Sequence, residues 1–268
     1  MDVSVDGRRA FLHTGGVELT PWRPAILLIH GAGMDHTAWH HQTRALAHAG
    51  LAAIAPDLPG HGRSAGPVAA SVEEMAAWVV ALLDALGIER SSIAGHSMGS
   101  LVALETAAAH PERCNRLVLT GTTGAMGVHP DLLAAADRDL ALAARFIAGW
   151  SFGGRGRMGG HPRSGTWLPG AARHLVAVSP PGALAAGLRA CVAYPGLERA
   201  ASVTAPALVI SGTADRMTPP ETSARLAGVL ESGRLEVLEG AGHLAMAERP
   251  REVLQLMREF LAPTIPPP

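Results

Sequence analysis

Short apolar runs alternate with segments of helical spacing along the first half of the chain. The run AILLIH (25–30) is apolar throughout, which is typical of a strand buried on both faces of a parallel sheet. The pattern predicts the following alternation after it: helix 37–49, strand 51–57, helix 71–86, strand 91–94, helix 97–109 and strand 116–121. This order predicts a parallel sheet with helices on both faces.

The two ends of the chain extend this pattern. Segments 2–6 and 8–14 predict two short strands joined by a turn at Asp6-Gly7, hence an antiparallel hairpin. Near the other end the alternation returns, with the order strand 207–212, helix 219–230, strand 234–240 and helix 250–261. The last residues, APTIPPP, cannot continue a helix and are expected to be frayed.

Residues 123–200 interrupt the rhythm of strands and helices. Their clearest helical pattern runs over 131–147, and the stretch GWSFGGRGRMGGHPRSGTWLPG is dense in Gly, Pro and Arg. We interpret 123–200 as an insertion between two parts of one domain, 1–122 and 201–268.

Composition narrows the class of protein. The 268 residues suffice for one large α/β domain, and 48% hydrophobic against 17% charged residues favours a compact chain. The net charge of −1 does not indicate binding to nucleic acid or to an anionic membrane, so we expect a small-molecule partner. The sequence leaves the oligomeric state open. Cys114 and Cys191 match no metal or redox spacing. Without a signal peptide or a long apolar run, the protein is expected to be soluble and cytoplasmic.

The segment Gly95-His96-Ser97-Met98-Gly99 falls where a predicted strand gives way to a helix. It matches G-x-S-x-G, the turn that exposes a serine nucleophile between strand and helix. The small glycines two residues away allow the strained backbone that this turn requires. The structural alternative is a helix start at which Ser97 is only a cap.

A serine nucleophile needs a base and an acid, and two loops offer them. His243 follows the last predicted strand, and Asp215 follows the strand before it, so both lie at the carboxyl edge of the sheet. The order Ser97, Asp215, His243 is that of a known hydrolase scaffold. Glu239 lies too close to His243 along the chain to be preferred. For the other histidines we favour a solvated or capping role: His36, His40, His41, His48, His110, His129, His161 and His174.

Backbone N–H groups are the expected donors to the oxyanion of a tetrahedral intermediate. Met98 N–H follows the nucleophile at a helix N-terminus, and Ala32 N–H lies in the loop His30-Gly31-Ala32-Gly33 after AILLIH. The small residues Gly31 and Gly33 would let the backbone approach the substrate; alternatively, they only form the turn of this loop.

Five segments together resemble the α/β-hydrolase superfamily, in the group with a cap inserted after the sixth strand. They are HGAG (30–33), DLPGHGRS (57–64), GHSMG (95–99), GTADRMTP (212–219) and GAGH (240–243). The resemblance implies a mostly parallel eight-stranded sheet with helices on both faces and a mainly helical cap, or lid, at 123–200. It also implies that DLPGHGRS has a structural role, so we assign no catalytic role to Asp57 or His61.

The resemblance and the residues together lead us to expect a serine hydrolase, most simply a carboxylesterase acting on small to medium esters through an acyl-enzyme, with no cofactor and no metal. Lactonase, thioesterase, carbon–carbon bond hydrolase and cofactor-free perhydrolase activities stay open, as does a ligand-binding receptor. Ser97 argues against relatives with an aspartate nucleophile. Hydrolases of carbon–carbon bonds usually carry a loop of the HGxGPGA kind, whereas this chain has HGAGMDHT.

Substrate identity is expected to depend on the insertion. An apolar pocket is predicted from Met126, Trp150, Phe152, Met158 and Trp167; the alternative is that these residues only hold the cap together. Three arginines of the insertion are expected either to bind a carboxylate of the substrate or to lie in a solvated loop: Arg155, Arg157 and Arg163.

Overall fold

The computed structural model describes residues 1–20, 22–157 and 166–262. Its strands are β1 (Asp2–Val5), β2 (Arg8–His13), β3 (Ala25–Ile29), β4 (Ala52–Pro56), β5 (Ser91–His96), β6 (Cys114–Thr120), β7 (Ala207–Gly212) and β8 (Gly233–Leu238). They form one sheet of order β1-β2-β4-β3-β5-β6-β7-β8. The pairs β1·β2 and β2·β4 are antiparallel, and all the others are parallel. The predicted hairpin and parallel sheet are confirmed.

The helices connect these strands. They are α1 (His40–His48), α2 (Val72–Ala85), α3 (Met98–Ala109), α4 (Pro130–Arg138), α5 (Leu140–Trp150), α6 (Gly154–Arg157), α7 (Leu168–Ala177), α8 (Ala183–Ala193), α9 (Gly196–Ala200), α10 (Pro220–Val229), α11 (Ala245–Glu248) and α12 (Pro250–Leu261). Short 3-10 turns occupy His36–Trp39 and Pro111–Arg113. Within the described ranges, no helix has both the length and the apolar character to cross a membrane.

The single helix predicted over 131–147 is wrong, because two helices meet there. Asp139 adopts an extended backbone (φ −147°, ψ 85°), and its side chain accepts a hydrogen bond from Leu142 N at 3.0 Å. The aspartate therefore ends α4 and caps α5, a local competition that a periodic apolar pattern does not reveal.

The sheet is covered on both faces, as its alternating side chains show. Leu27 and Ile29 of β3 pack with α2, α3 and α10, whereas Ile26 and Leu28 pack with α1 and α12. All five residues of β3 are buried, since each face of a central parallel strand carries a helical layer.

The segment between β6 and β7, residues 121–206, carries α4 to α9; we call it the inserted segment. Its helices α4, α5, α7 and α8 share an apolar cluster of their own. Buried Glu105 of α3 links it to the sheet layer, because its carboxylate accepts hydrogen bonds from Arg199 Nε (2.7 Å) and Tyr194 Oη (2.8 Å). A division into separate domains at residues 123 and 200 stays a prediction.

Candidate active site

Ser97 occupies the turn between β5 and α3 with a strained backbone. Its φ of 52° and ψ of −122° lie in a region that residues other than glycine rarely adopt. Its N–H donates to Thr120 O at 3.0 Å, while its side chain makes no capping hydrogen bond to the helix. The capping role considered for Ser97 is therefore absent, and a strain of about 1–3 kcal/mol is carried at this residue.

The glycines of the motif are required by close backbone packing. A Cβ on Gly95 would collide with the carbonyl of Gly99, and a Cβ on Gly99 would collide with the carbonyl oxygens of Ile29 and His30. The start of α3 is thus pressed against the ends of β3 and β5. Only glycine, which has no Cβ, permits this approach at the two positions.

His243 and Asp215 meet at the carboxyl edge of the sheet, as the sequence predicts for loops after β8 and β7. His243 Nδ1 lies 3.0 Å from Asp215 Oδ2, and both side chains are buried. Thr218 Oγ1 donates to the same oxygen at 2.6 Å, whereas Asp215 Oδ1 accepts from the N–H groups of Met217 (2.8 Å) and Thr218 (2.9 Å). Thr218 was not identified from the sequence; a hydroxyl three residues after the aspartate is its signal.

The carboxyl group of Asp215 is held in its ionised form. Burial alone would raise its pKa, but the charge of His243 and the hydrogen bonds from His243 and Thr218 outweigh burial and lower the pKa to about 2. Asp215 is therefore an acceptor for His243 Nδ1–H across the ordinary pH range. That hydrogen bond fixes the histidine tautomer with its lone pair on Nε2. In the described part of the chain, Nε2 has no hydrogen-bond partner.

Two residues hold the backbone and ring of His243. His96 Nε2 donates to His243 O at 3.1 Å, and the two imidazole rings lie 4.8 Å apart. Burial, followed by the charge of His243, holds the pKa of His96 well below its usual range, so His96 stays neutral beside its neighbour. Gly121 (φ 53°) lets the His243 ring approach, since a Cβ there would lie 3.0 Å from its Cε1.

Glu248 supports the loop that carries His243 from the other side. Its carboxylate accepts hydrogen bonds from Gly242 N at 2.7 Å and Gly153 N at 3.0 Å. Burial raises the pKa of this carboxyl group against the effect of the two N–H donors. Gln42 of α1 donates to Met246 O at 2.9 Å and fixes the helix that follows. These supports come from distant parts of the chain, and no local motif marks them.

The two predicted oxyanion donors belong to segments that adjoin Ser97. Met98 is the first residue of α3, where N–H groups have no acceptor within the helix. The loop after β3 packs on the nucleophile turn, because a Cβ on Gly31 would lie 3.3 Å from Ser97 Cβ. Helix α8 covers both, since a Cβ on Gly187 would lie 3.0 Å from Ala32 Cβ and 2.7 Å from Met98 Sδ.

A cavity of about 510 Å³ brings Ser97 and His243 together with the inserted segment. Its lining consists of Ala32, Ser97, Met126, Gly127, Val128, His129, Leu132, Trp150, Leu188, Cys191, Arg216, Met217, Thr218 and His243. Cavities of this size commonly hold small organic ligands. Met126 and Trp150 line it as predicted.

Two other residues predicted in the pocket lie elsewhere, which corrects that expectation. Phe152 is 2% exposed and packs in the apolar cluster that also holds Leu244 and Met246, beneath the His243 loop. Trp167 is 58% exposed and stacks on Gly170 at the start of α7. The predicted Met158 and Arg163 lie outside the described residues, as do the side chains of Arg155 and Arg157.

Cys191 is a second nucleophilic side chain in the cavity lining. Burial raises the pKa of its thiol to about 12. Because the thiolate is the reactive form, Cys191 is a poor nucleophile at neutral pH.

Asp35, His36 and Asp57 form a group with the donor types of a metal site. Asp57 already accepts hydrogen bonds from His36 N (2.7 Å), His36 Nδ1 (2.8 Å) and Arg63 N (2.8 Å). The aspartate therefore ties two loops together, which agrees with the architectural role expected for its segment.

Comparison with known proteins defines the family. A model described as the alpha/beta hydrolase family matches residues 26–256, and the chain belongs to this family. The chain is similar to a pimeloyl-[acyl-carrier protein] methyl ester esterase of Aeromonas hydrophila, with 28% identity over 89% of this chain and 95% of the relative. It is also similar to a 2-hydroxymuconate semialdehyde hydrolase of a Pseudomonas species, with 29% identity over 97% and 93%. The crystal structure of an enol-lactonase from Burkholderia xenovorans superposes with a TM-score of 0.88, at 25% identity over 98% and 100%.

Proposed function

We propose that this member of the hydrolase family is a serine esterase that cleaves small to medium carboxylic esters through an acyl-enzyme. The observation that carries the proposal is the tautomer of His243. His243 Nδ1 donates a hydrogen bond to Asp215 Oδ2 at 3.0 Å, which leaves the lone pair on Nε2. Among the described residues, Nε2 has no hydrogen-bond partner, and His243 lines the same cavity as Ser97. Such a histidine is arranged to accept a proton within that cavity.

Acylation uses the residues already in place. Ser97 Oγ attacks the ester carbonyl as its proton passes to His243 Nε2, and Asp215 stabilises the imidazolium that forms. The N–H groups of Ala32 and Met98 are assigned to the developing oxyanion. Collapse of the tetrahedral intermediate breaks the bond to the alkoxy group, which takes the proton from Nε2 and leaves as the alcohol.

Deacylation repeats these steps with water. His243 removes a proton from the water molecule, whose oxygen attacks the acyl carbon, and the proton then passes to the departing Ser97 Oγ. The product is a carboxylic acid, and the enzyme returns to its starting state. No step requires a group other than the substrate, water and this chain's residues.

The names of two of the three similar proteins support an activity on ester bonds. One is named as a methyl ester esterase, and another as an enol-lactonase, whose substrate class contains a cyclic ester. Lactonase activity is thus the second candidate, because the same attack on a ring ester gives an acyl-enzyme whose alcohol stays attached. A panel of p-nitrophenyl esters, lactones and acyl thioesters separates these substrates by kcat/KM.

The direct test is labelling with a fluorophosphonate, which reacts with activated serines. We expect the wild-type protein to be labelled and to lose its esterase activity in parallel. Ser97→Ala should lose both labelling and turnover, whereas Cys191→Ala, which changes the other nucleophile in the cavity, should still be labelled. Labelling that survives in Ser97→Ala would refute the assignment.

A further inference from the structure

Most of the described cavity lining is apolar; besides Ser97, Thr218 and His243 of the candidate site, it contains the basic residues His129 and Arg216. Among the described lining residues, Arg216 is the one side chain with a permanent charge, and no aspartate or glutamate accompanies it. The apolar lining residues of the same cavity include Leu132, Leu188 and Met126. An anion that enters this cavity would therefore meet Arg216 without competition from an acidic lining residue.

The charge of Arg216 is not paired with any acidic side chain that the structure describes. Within the described ranges, no carboxylate lies within ion-pair distance of its guanidinium. Its neighbour Asp215 is unavailable as a partner, because both carboxylate oxygens already accept hydrogen bonds from Met217, Thr218 and His243. Arg216 is an exposed residue that also lines the cavity, and no ion pair described in the structure accounts for its charge there.

His129, another basic residue of the cavity lining, differs from Arg216 because it contacts an acidic residue. His129 Nδ1 accepts a hydrogen bond from Asp131 N at 3.2 Å and lies 3.7 Å from Asp131 Oδ2. His129 is thus occupied in capping α4. Among the described lining residues, Arg216 is the cation without such a structural role.

The backbone beneath Arg216 is held rigidly. Asp215 Oδ1 accepts from the N–H groups of both Met217 and Thr218, which closes a turn with Arg216 at its tip. The same carboxylate orients His243, so the position of Arg216 is linked to the reacting groups by one residue. The planar guanidinium carried by this turn can bind a carboxylate in bidentate geometry.

We propose that Arg216 is the carboxylate-binding group of a substrate subsite. The preferred substrates would then be esters with a free carboxylate at the end remote from the scissile bond, joined to it by an apolar chain that lies against the cavity wall. This inference rests on the proposed esterase function. It adds a substrate class, the half-esters of dicarboxylic acids, to the reaction.

The experiment compares two substrates that differ only in charge. Monomethyl esters of α,ω-dicarboxylic acids of five to eight carbons are paired with the matching methyl ester amides, in which a primary amide replaces the carboxylate. The variants are Arg216→Gln and Arg216→Lys, and the matched control is Arg225→Gln, which removes an exposed arginine of α10 outside the cavity lining. All proteins are also assayed with neutral p-nitrophenyl acetate.

The wild-type enzyme should prefer the acid over the amide in kcat/KM, mainly through KM. Arg216→Gln should lower kcat/KM for the acid roughly five- to tenfold and leave the amide within twofold, because one partly exposed charge-assisted hydrogen bond is lost. Arg216→Lys should fall between them, and Arg225→Gln should match the wild type. High salt should weaken the preference of the wild type alone.

Three outcomes overturn the inference: no preference for the acid, equal losses on acid and amide in Arg216→Gln, or an equal loss in Arg225→Gln. Hydrolysis of p-nitrophenyl acetate without a preference for the acid refutes only the subsite. Absence of hydrolysis with every ester, together with absence of fluorophosphonate labelling, refutes the esterase function itself.

Discussion

The loops that carry Ser97, Asp215 and His243 differ in kind from the wall of the cavity above them. The loops follow the ends of β5, β7 and β8, and their backbone is fixed by close contacts, as at Gly99 against Ile29 O and His30 O. The wall comes from the inserted segment, where lining residues such as Met126 and Leu188 lie on a loop and on α8. Under the proposed function, the chemistry is assigned to the closely packed loops, and substrate selectivity to the wall of the inserted segment.

The difference shows which interactions leave a local signature. A turn that presses two backbones together admits few residue types, so its sequence is informative. A cavity wall needs only apolar side chains of suitable size, which many sequences supply. Single substitutions should therefore have large effects in the first region and graded effects in the second.

The largest effect is expected for Asp215→Asn. The amide would favour the wrong tautomer of His243, and kcat should fall on the order of 10³ to 10⁴, as in a serine protease with the same change. Ester hydrolysis and circular dichroism on one preparation check activity and fold. Glu239→Gln is the matched control, because Glu239 is the exposed acid near His243 in the chain, and it should keep its activity. A loss below tenfold in Asp215→Asn would mean that another group orients His243.

The second test concerns steric constraint. Gly99→Ala should destabilise the protein by about 1–3 kcal/mol or more, because its Cβ meets two carbonyl oxygens of the β3 end. Gly127→Ala in the inserted segment should stay within about 0.5 kcal/mol, since a Cβ there meets nothing within 4 Å. Urea unfolding measures both. Equal effects of the two substitutions would remove the contrast between the regions.

The fold and the meeting of Ser97, Asp215 and His243 at one edge of the sheet could be predicted from the sequence for physical reasons, whereas their catalytic roles stay a prediction. The parallel strands are apolar on both faces, and the strained turn at Ser97 requires nearby glycines, so both are visible locally. Phe152 and Trp167 were misplaced because apolarity alone does not say which cavity or core a side chain enters. Glu248 and His96 escaped notice, since their contacts with Gly242 N and His243 O depend on chain crossings that only the folded structure shows.

The third test uses pH. The folded pKa of Asp215, about 2, lies below its ordinary value of 3.8, so its contribution to stability is present above pH 4 and is lost as the pH falls towards 2. The unfolding free energy of the wild type should therefore drop by about 2 kcal/mol more than that of Asp215→Asn between pH 5 and pH 2. Parallel curves for the two proteins would contradict the depressed pKa.

The smallest effect is expected in the cavity wall. Trp150 lines the cavity and stacks on Phe146 at 5.1 Å, whereas Trp167 is exposed. Trp150→Ala should raise KM for long acyl chains roughly three- to tenfold, since apolar contact area is lost, and leave acetate esters little changed. Trp167→Ala should behave like the wild type. If both variants shift the chain-length profile alike, the cavity assignment fails.

The most direct measurement of the central claim is the pre-steady-state release of p-nitrophenolate from p-nitrophenyl acetate, combined with mass spectrometry of the quenched protein. We expect a burst that approaches one equivalent when deacylation is slower than acylation, and an acetyl group on the peptide that contains Ser97. Ser97→Ala should show neither. Turnover in wild type with the acetyl group on another residue, or turnover that persists in Ser97→Ala, would contradict the account.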